Sequence, residues 1–278
     1  MRIGRYARLF ATAVCMVLTA PPVHAETLFL GGTGGAAEPM RIITDRFIAG
    51  TGVARAQIIP GLGSGGAIKA ALEGAVHVAF SGRPLTADEE RQGLTIVATA
   101  CTPYVFATSH PSPGSPHPDS IAALYGEAAA KWPDGQAVKI VLRPRSESDN
   151  LILFRLFPGT EQAVREARKR DSVPVAATDQ ENADMAEQIE GSLIAITYMQ
   201  VLTEHRPLRL LAIDGVSPGL DTYESGRYPF GKPIHMITKR DPSAGVTRFL
   251  GFLRSPEGMA VMRETGLVSC VSGSNRGV

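Results

Sequence analysis

Residues 58–74 read "IIPGLGSGGAIKAALEG" and place Gly61, Gly63 and Gly66 in the spacing G-x-G-x-x-G. A strand-like run, Gln57-Ile58-Ile59, precedes them, and a helix-like run, Ala67 to Glu73, follows. Strand, glycine loop and helix together outline a dinucleotide fingerprint. The outline fails on its context. The acidic residue that holds the ribose belongs at the end of the next strand, where Ser81 and Gly82 stand. Asp88 to Glu90 fall at about the right count but sit at the start of another helix. What remains is a strand-to-helix loop whose free N–H groups and Ser64 hydroxyl suit a small anion.

Two more loops share this design. Gly31 to Gly35 follows the short strand Thr27 to Leu30, and Arg143 to Asn150 follows the strand-like "AVKIVLRP". A helix N-terminus carries unpaired donors and the positive end of a dipole, and Thr33, Ser64, Ser146 and Ser148 add hydroxyls. Any one such loop is ordinarily a turn and an N-cap; three in one chain point to a ligand site. Arg143 and Arg145 flank Pro144 directly after a strand. Either offers a planar fork for phosphate or carboxylate oxygens, or an ion pair to Glu147 or Asp149. Arg83, next to Ser81-Gly82, either reaches the same place or pairs with the acids of the following helix.

Strands and helices alternate along the chain, the pattern of an α/β fold in layers. A helix is expected from about Met40 to Ala49 and another from Ala67 to Glu73, with a strand, "VHVAFS", ending at Ser81. Thr86-Ala87-Asp88-Glu89 has the form of a capping box. "LTIVATACTPYVFAT" (94–108) is longer than an ordinary strand and leads into a Pro/Ser/His loop, "SHPSPGSPHPDS". After it come the helices "ESDNLILFRLF" and Thr160 to Arg170, then "NADMAEQIEGSLIAITYM" as a helix, a Gly191-Ser192 turn and a buried strand, and the strand "LRLLAIDG". "YPFGKPIHMITK" (228–239) is a second long β-like run, followed by one C-terminal helix or a pair broken at Pro256. Two long runs around a middle segment predict two lobes, 26–104 with 229–278 and 105–228, joined by two crossover strands with the ligand cleft between them.

The first residues bear on compartment. Arg2, Arg5 and Arg8 precede an apolar run, Leu9 to Ala20, and Val23-His24-Ala25 sets small residues at −3 and −1. That is the pattern of a secretory signal peptide cleaved after Ala25. The run is shorter than the roughly 20 residues a membrane span needs. Cleavage removes three basic residues from a chain of formal charge +1, leaving about −2. Nothing resembles a basic, aromatic-interleaved nucleic-acid surface, and an exported protein meets little NAD. Cys101 and Cys270 then remain, most simply as one disulfide in an oxidising compartment, otherwise as two separate thiols.

At these residues the chain resembles the periplasmic phosphate-binding proteins of ABC importers, the PstS-like family. "GGTGGAAEP" is similar to that family's first anion loop, "GLGSGGAIKAALEG" to its Gly-Ser-Gly loop and helix, and "VAFSGRPLTADEE" to its serine and acidic run. "IDGVSPGLDTYESGRYPFGKPIHMITK" resembles the return segment and "GVTRFLGFLRSPEGMAVMRETGLV" the C-terminal helices. The resemblance implies a type II periplasmic-binding-protein fold that binds phosphate or a related oxyanion, works without a cofactor, and serves a membrane ABC permease as a monomer. Carried over by position, Thr33, Gly34, Ser64, Gly65 and Ser81 would line the pocket from the first lobe, and Arg145, Ser146, Ser148 and Asp149 from the second. Arg143 stays open as the clamp instead of Arg145. Two departures stand out. Gly82 replaces an aspartate that accepts the proton of hydrogen phosphate in many family members, and "RPRSESDN" lacks the Gly-Thr of the family's arginine loop. Asp149 is the candidate to supply the missing acceptor, or else it is a helix-start residue facing solvent or an arginine.

Other classes of function have less behind them. A serine hydrolase needs a base near its nucleophile. Here His77 and His235 fall in strand-like runs, His205 in a turn, and His110 and His117 in the Pro-rich loop. A metal held by His110 and His117 competes with a plain extended linker. A sensory or scaffolding module that kept the fold and lost its ligand is the remaining alternative.

Overall fold

The computed structural model of the protein describes residues 26–51 and 55–271. The signal-peptide pattern of residues 1–25 lies outside them. The chain starts with β1 (Leu28–Gly32), α1 (Ala37–Thr51), β2 (Ala56–Ile59), α2 (Gly63–Glu73), β3 (Val78–Ser81) and α3 (Ala87–Arg91). β1 pairs in parallel with both β2 and β3. All four residues of β3 are buried, as expected of a parallel strand covered on both faces.

β4 (Leu94–Thr108) follows and is the longest strand described. The middle of the chain then runs α4 (Ile121–Gly126), β5 (Lys139–Ile140), α5 (Ser148–Leu156), α6 (Thr160–Ala167), α7 (Asp179–Gln188) and β6 (Ser192–Thr197). α8 (Tyr198–Thr203), β7 (Arg209–Leu210), α9 (Leu220–Glu224), β8 (Gly231–Lys239), α10 (Ala244–Arg254) and α11 (Pro256–Glu264) complete it. The mixed sheet is ordered β2-β1-β3-β8-β4-β6-β5, with β7 also on β4.

β4 changes partners along its length. From Leu94 to Pro103 it pairs antiparallel with β8, ending on Pro103↔Gly231. From Tyr104 to Ala107 it pairs with β6. Two separate cores form on the two halves. One gathers Leu30, Ile43, Phe47, Phe80, Met236 and Phe249; the other gathers Phe106, Tyr125, Leu153, Phe157, Ile194 and Tyr228. The fold is therefore two-lobed, with β4 and β8 running between the lobes.

Local chemistry explains most element ends. Thr86 accepts from Glu89 N–H while the Glu89 carboxylate accepts from Thr86 N–H, completing the capping box of α3. Ser255 ends α10 and caps α11 by accepting from Gly258 N–H, and Pro256 opens the second helix, where a missing N–H costs nothing. Cys101 and Cys270 form a disulfide with Cα atoms 4.9 Å apart.

Several elements differ from expectation. α1 begins at Ala37 and α2 at Gly63, three or four residues earlier than the apolar periodicity indicates, because Ser64-Gly65-Gly66 already takes up helical geometry. Gly61 and Gly63 carry φ of +72° and +63°, a region that favours glycine, and they form the turn. "AVKIVLRP" and "LRLLAIDG" yield only two-residue strands, β5 and β7. Beyond β5 the edge continues as a single bridge, Leu142↔Val175. No helix among the described residues is long and apolar enough to cross a membrane.

Candidate functional site

Two helix N-termini meet where the lobes face each other. Ser64 lies in the first turn of α2 and Ser148 opens α5; both are buried, with their hydroxyl oxygens 3.3 Å apart. Neither helix has a side-chain cap, so first-turn N–H groups are left for other acceptors. Gly82 N–H donates to Ser64 Oγ at 3.0 Å, which brings the end of β3 into the group. A groove of about 180 Å³ opens here, lined by Ser64, Gly65, Arg83, Ser146, Glu147 and Ser148 among others.

Charge concentrates beneath it. Arg143 is only 6% exposed and donates from Nη1 to Ala176 O at 2.8 Å. Its Nη2 lies 3.4 Å from Asp179 Oδ1 and 3.6 Å from Glu147 Oε2. Its buried Nε has no hydrogen-bond partner. Lys232, on β8 and 1% exposed, is ion-paired to Asp149 Oδ1. A buried ammonium is tolerated only with such a partner.

The three acids differ in state. Burial raises the Asp149 carboxyl, but the charge and hydrogen bond of Lys232, then Arg143 and a hydrogen bond from Asp179, outweigh it and hold it below the usual range. Asp179 moves the other way: burial raises it first, and the Asp149 charge adds to that. Of the pair, Asp179 is thus the acid that takes up a proton more readily. Burial also raises Glu147, against the pull of Arg143.

The expected site residues separate into two groups. Ser64, Ser148, Asp149, Ser146 and Gly65 come together at the groove or just below it. Thr33 is buried at the end of β1, its N–H on Phe80 O, and Gly34 abuts the start of α7, where Gln180 Nε2 donates to Gly34 O at 3.0 Å. Ser81 is buried with its hydroxyl donating to Arg83 O and accepting from Arg83 N–H. Arg145 stands apart: it is exposed and lines a different groove with Glu161, Arg165 and Arg168. The chain turns at Arg145-Ser146 and leaves Arg145 exposed, whereas Arg143 is buried. Arg83 pairs bidentately with Glu89. Asp149 faces a lysine, neither solvent nor only an arginine.

Lys232 and Asp179 are the residues that sequence reasoning missed. A lysine inside the apolar run of β8 was the available signal, since lysine is seldom fully buried without a partner. Four histidines are engaged elsewhere: His110 Nε2 with Asp134 at 3.0 Å, His235 with Thr99, His77 Nδ1 accepting from Phe29 N–H, and His117 accepting from Asp119 N–H.

A family model described as a PBP superfamily domain matches residues 22–257. The chain is 25% identical over 133 residues to the phosphate-binding protein PstS 2 of Streptococcus agalactiae serotype V, covering 47% of this chain and 45% of that one. To the protein of the same name from Streptococcus pneumoniae serotype 4 it is 24% identical over 102 residues, 36% and 35% of the two chains. It thus spans about half the length, or less, of these curated relatives. Among solved structures, an ABC-type phosphate transport receptor from Vibrio cholerae is similar over 87% of this chain and 99% of its own, at TM-score 0.62 and 16% identity. A protein described as a phosphate ABC transporter substrate-binding protein, with bound phosphate, from Clostridium perfringens reaches TM-score 0.76 at 16% identity, over 88% and 100%. At such identities the likeness establishes the two-lobe fold.

Proposed function

Because this chain belongs to the PBP superfamily, we propose that it captures phosphate or a related oxyanion between its lobes for delivery to a membrane ABC permease. The observation that carries this is Arg143: a buried guanidinium with an unpartnered Nε, set below two uncapped helix N-termini whose serines touch. Guanidinium forks and helix N-termini both suit a tetrahedral oxyanion. In this reading Ser64, Gly65, Ser146, Ser148 and first-turn N–H groups of α2 and α5 donate to the anion, Arg143 and Lys232 balance its charge, and Thr33, Gly34 and Ser81 shape the inner wall.

The names of the Streptococcus relatives favour phosphate, as does the phosphate bound in the Clostridium perfringens protein. The lobes divide as 26–104 with 229–278 against 105–228, and they close by bending of β4 and β8. The protein is read as an exported, non-catalytic monomer. Melting of the purified chain against phosphate, sulfate, arsenate and molybdate tests the reading. An anion at about 100 times its Kd adds roughly 2.7 kcal/mol of stability, a rise of several degrees. No rise with any of them would favour a module that kept the fold without the ligand.

A further inference from the structure

The first glycine loop, Gly31 to Gly35, has the design of an anion cradle, and a carboxyl group of the protein itself already sits in it. The Asp179 carboxyl group lies against Gly34 of this loop. An added Cβ on Gly34 would lie 2.7 Å from Asp179 Oδ2, so only glycine admits this approach. From the other side Arg143 Nη2 stands 3.4 Å from Asp179 Oδ1. Glycine-loop N–H and guanidinium are the groups that recognise an oxyanion. Asp179 is not needed to cap α7, because the Thr178 hydroxyl accepts from Glu181 N–H.

We propose that Asp179 is a built-in competitor, its carboxyl group standing in the oxyanion's place between the first glycine loop and Arg143, so that capture of an anion requires its displacement. The proposal rests on the oxyanion reading above and adds the residue that sets affinity. It follows from charge and geometry together. The groups facing Asp179 are Arg143 and Glu147 from the segment before α5, Asp149 from α5 itself, and Lys232 from β8. Two cations are thus already neutralised by acids of the second lobe. An arriving anion must replace one of those acids at Arg143, and it meets the negative charge of the others as it does. The anion gains the Arg143 Nε as well, which the Asp179 carboxyl group leaves unused. Gln180, the next residue, ties Gly34 O to Glu204 through its amide, so the loop keeps one anchor when Asp179 leaves.

Isothermal titration of phosphate and sulfate into wild type, Asp179→Asn and Asp184→Asn decides the matter. Asp184 lies on the same helix and pairs with Arg206. Asp179→Asn is expected to bind whichever anion the wild type binds about tenfold more tightly, with Asp184→Asn matching wild type. Binding by Asp179→Asn alone, with none by wild type, supports the competitor equally. Equal or weaker binding by Asp179→Asn overturns it and leaves the oxyanion reading in place, with Asp179 then a ligand contact or a structural group. No binding of either anion by any of the three overturns both. Should Asp179→Asn lack a cooperative melt, Asp179→Ser replaces it under the same criteria.

Discussion

A Cβ added to Gly82 would stand 2.7 Å from Lys232 Cε and 2.8 Å from Ser148 Oγ. Gly82 is therefore the clearance that lets a buried ammonium reach the junction of the lobes. Gly82→Ala must push both neighbours, and overpacking of this kind costs about 1–3 kcal/mol. Chemical denaturation is expected to show that loss, and phosphate titration a weaker affinity, with the serine pair forced apart.

Lys232 and Asp149 form a closed charge pair inside the protein. Removing one partner strands the other, at a cost of about 3–5 kcal/mol. Lys232→Met and Asp149→Asn should each destabilise strongly, while the double variant recovers most of the loss. Urea unfolding of the four proteins measures the coupling; simple additivity would show that the pair does not act as a unit.

Arg143 and Arg145 should behave oppositely. Arg143→Met is expected to abolish the oxyanion-dependent rise in melting temperature, whereas Arg145→Ala, at an exposed site, leaves it unchanged. The reverse result would move the clamp to the outer groove beside Arg165 and Arg168.

Two acids give stability opposite dependences on pH. The hydrogen bond from Arg83, against the effect of burial, holds Glu89 at about 2 from an ordinary 4.5. Its contribution is complete above about 4.5 and is lost as pH falls towards 2. Glu89→Gln should flatten that acid limb. Asp179 is raised by burial and by Asp149, so its protonated form is favoured in the fold and its contribution fades as pH rises through its folded value. Asp179→Asn should gain stability at neutral pH and little below about 3.8. Denaturation midpoints across the range check both signs.

Much of this architecture was legible in local chemistry. The three strand–loop–helix units, the Thr86–Glu89 capping box, the break at Pro256 and the two long strands all rest on nearby residues, and short-range geometry reproduces them. The site was legible only in outline. Ser64 and Ser148 were visible as helix-opening serines, but their meeting depends on the lobes facing each other. Lys232 lies in a run that reads as β-strand, and its partner Asp149 is 83 residues away. Arg143 and Arg145, two apart, would share a face in a regular strand. The chain leaves strand geometry after Leu142, and that departure decides which one is buried.

The pairing of Pro103 with Gly231 has a consequence for how such a chain can be taken apart. The backbone leaves the first lobe at one of these residues and re-enters it at the other, with the two held as neighbours in one ladder. The intervening segment is therefore an excursion whose two ends already touch. Replacing residues 104–230 with a tight turn would leave every strand pairing of β1, β2, β3 and β8 and the Cys101–Cys270 link intact. The second lobe is in this sense cargo inserted into one hairpin of the first, and its excursion sends Met199 and Tyr223 back to pack with first-lobe residues.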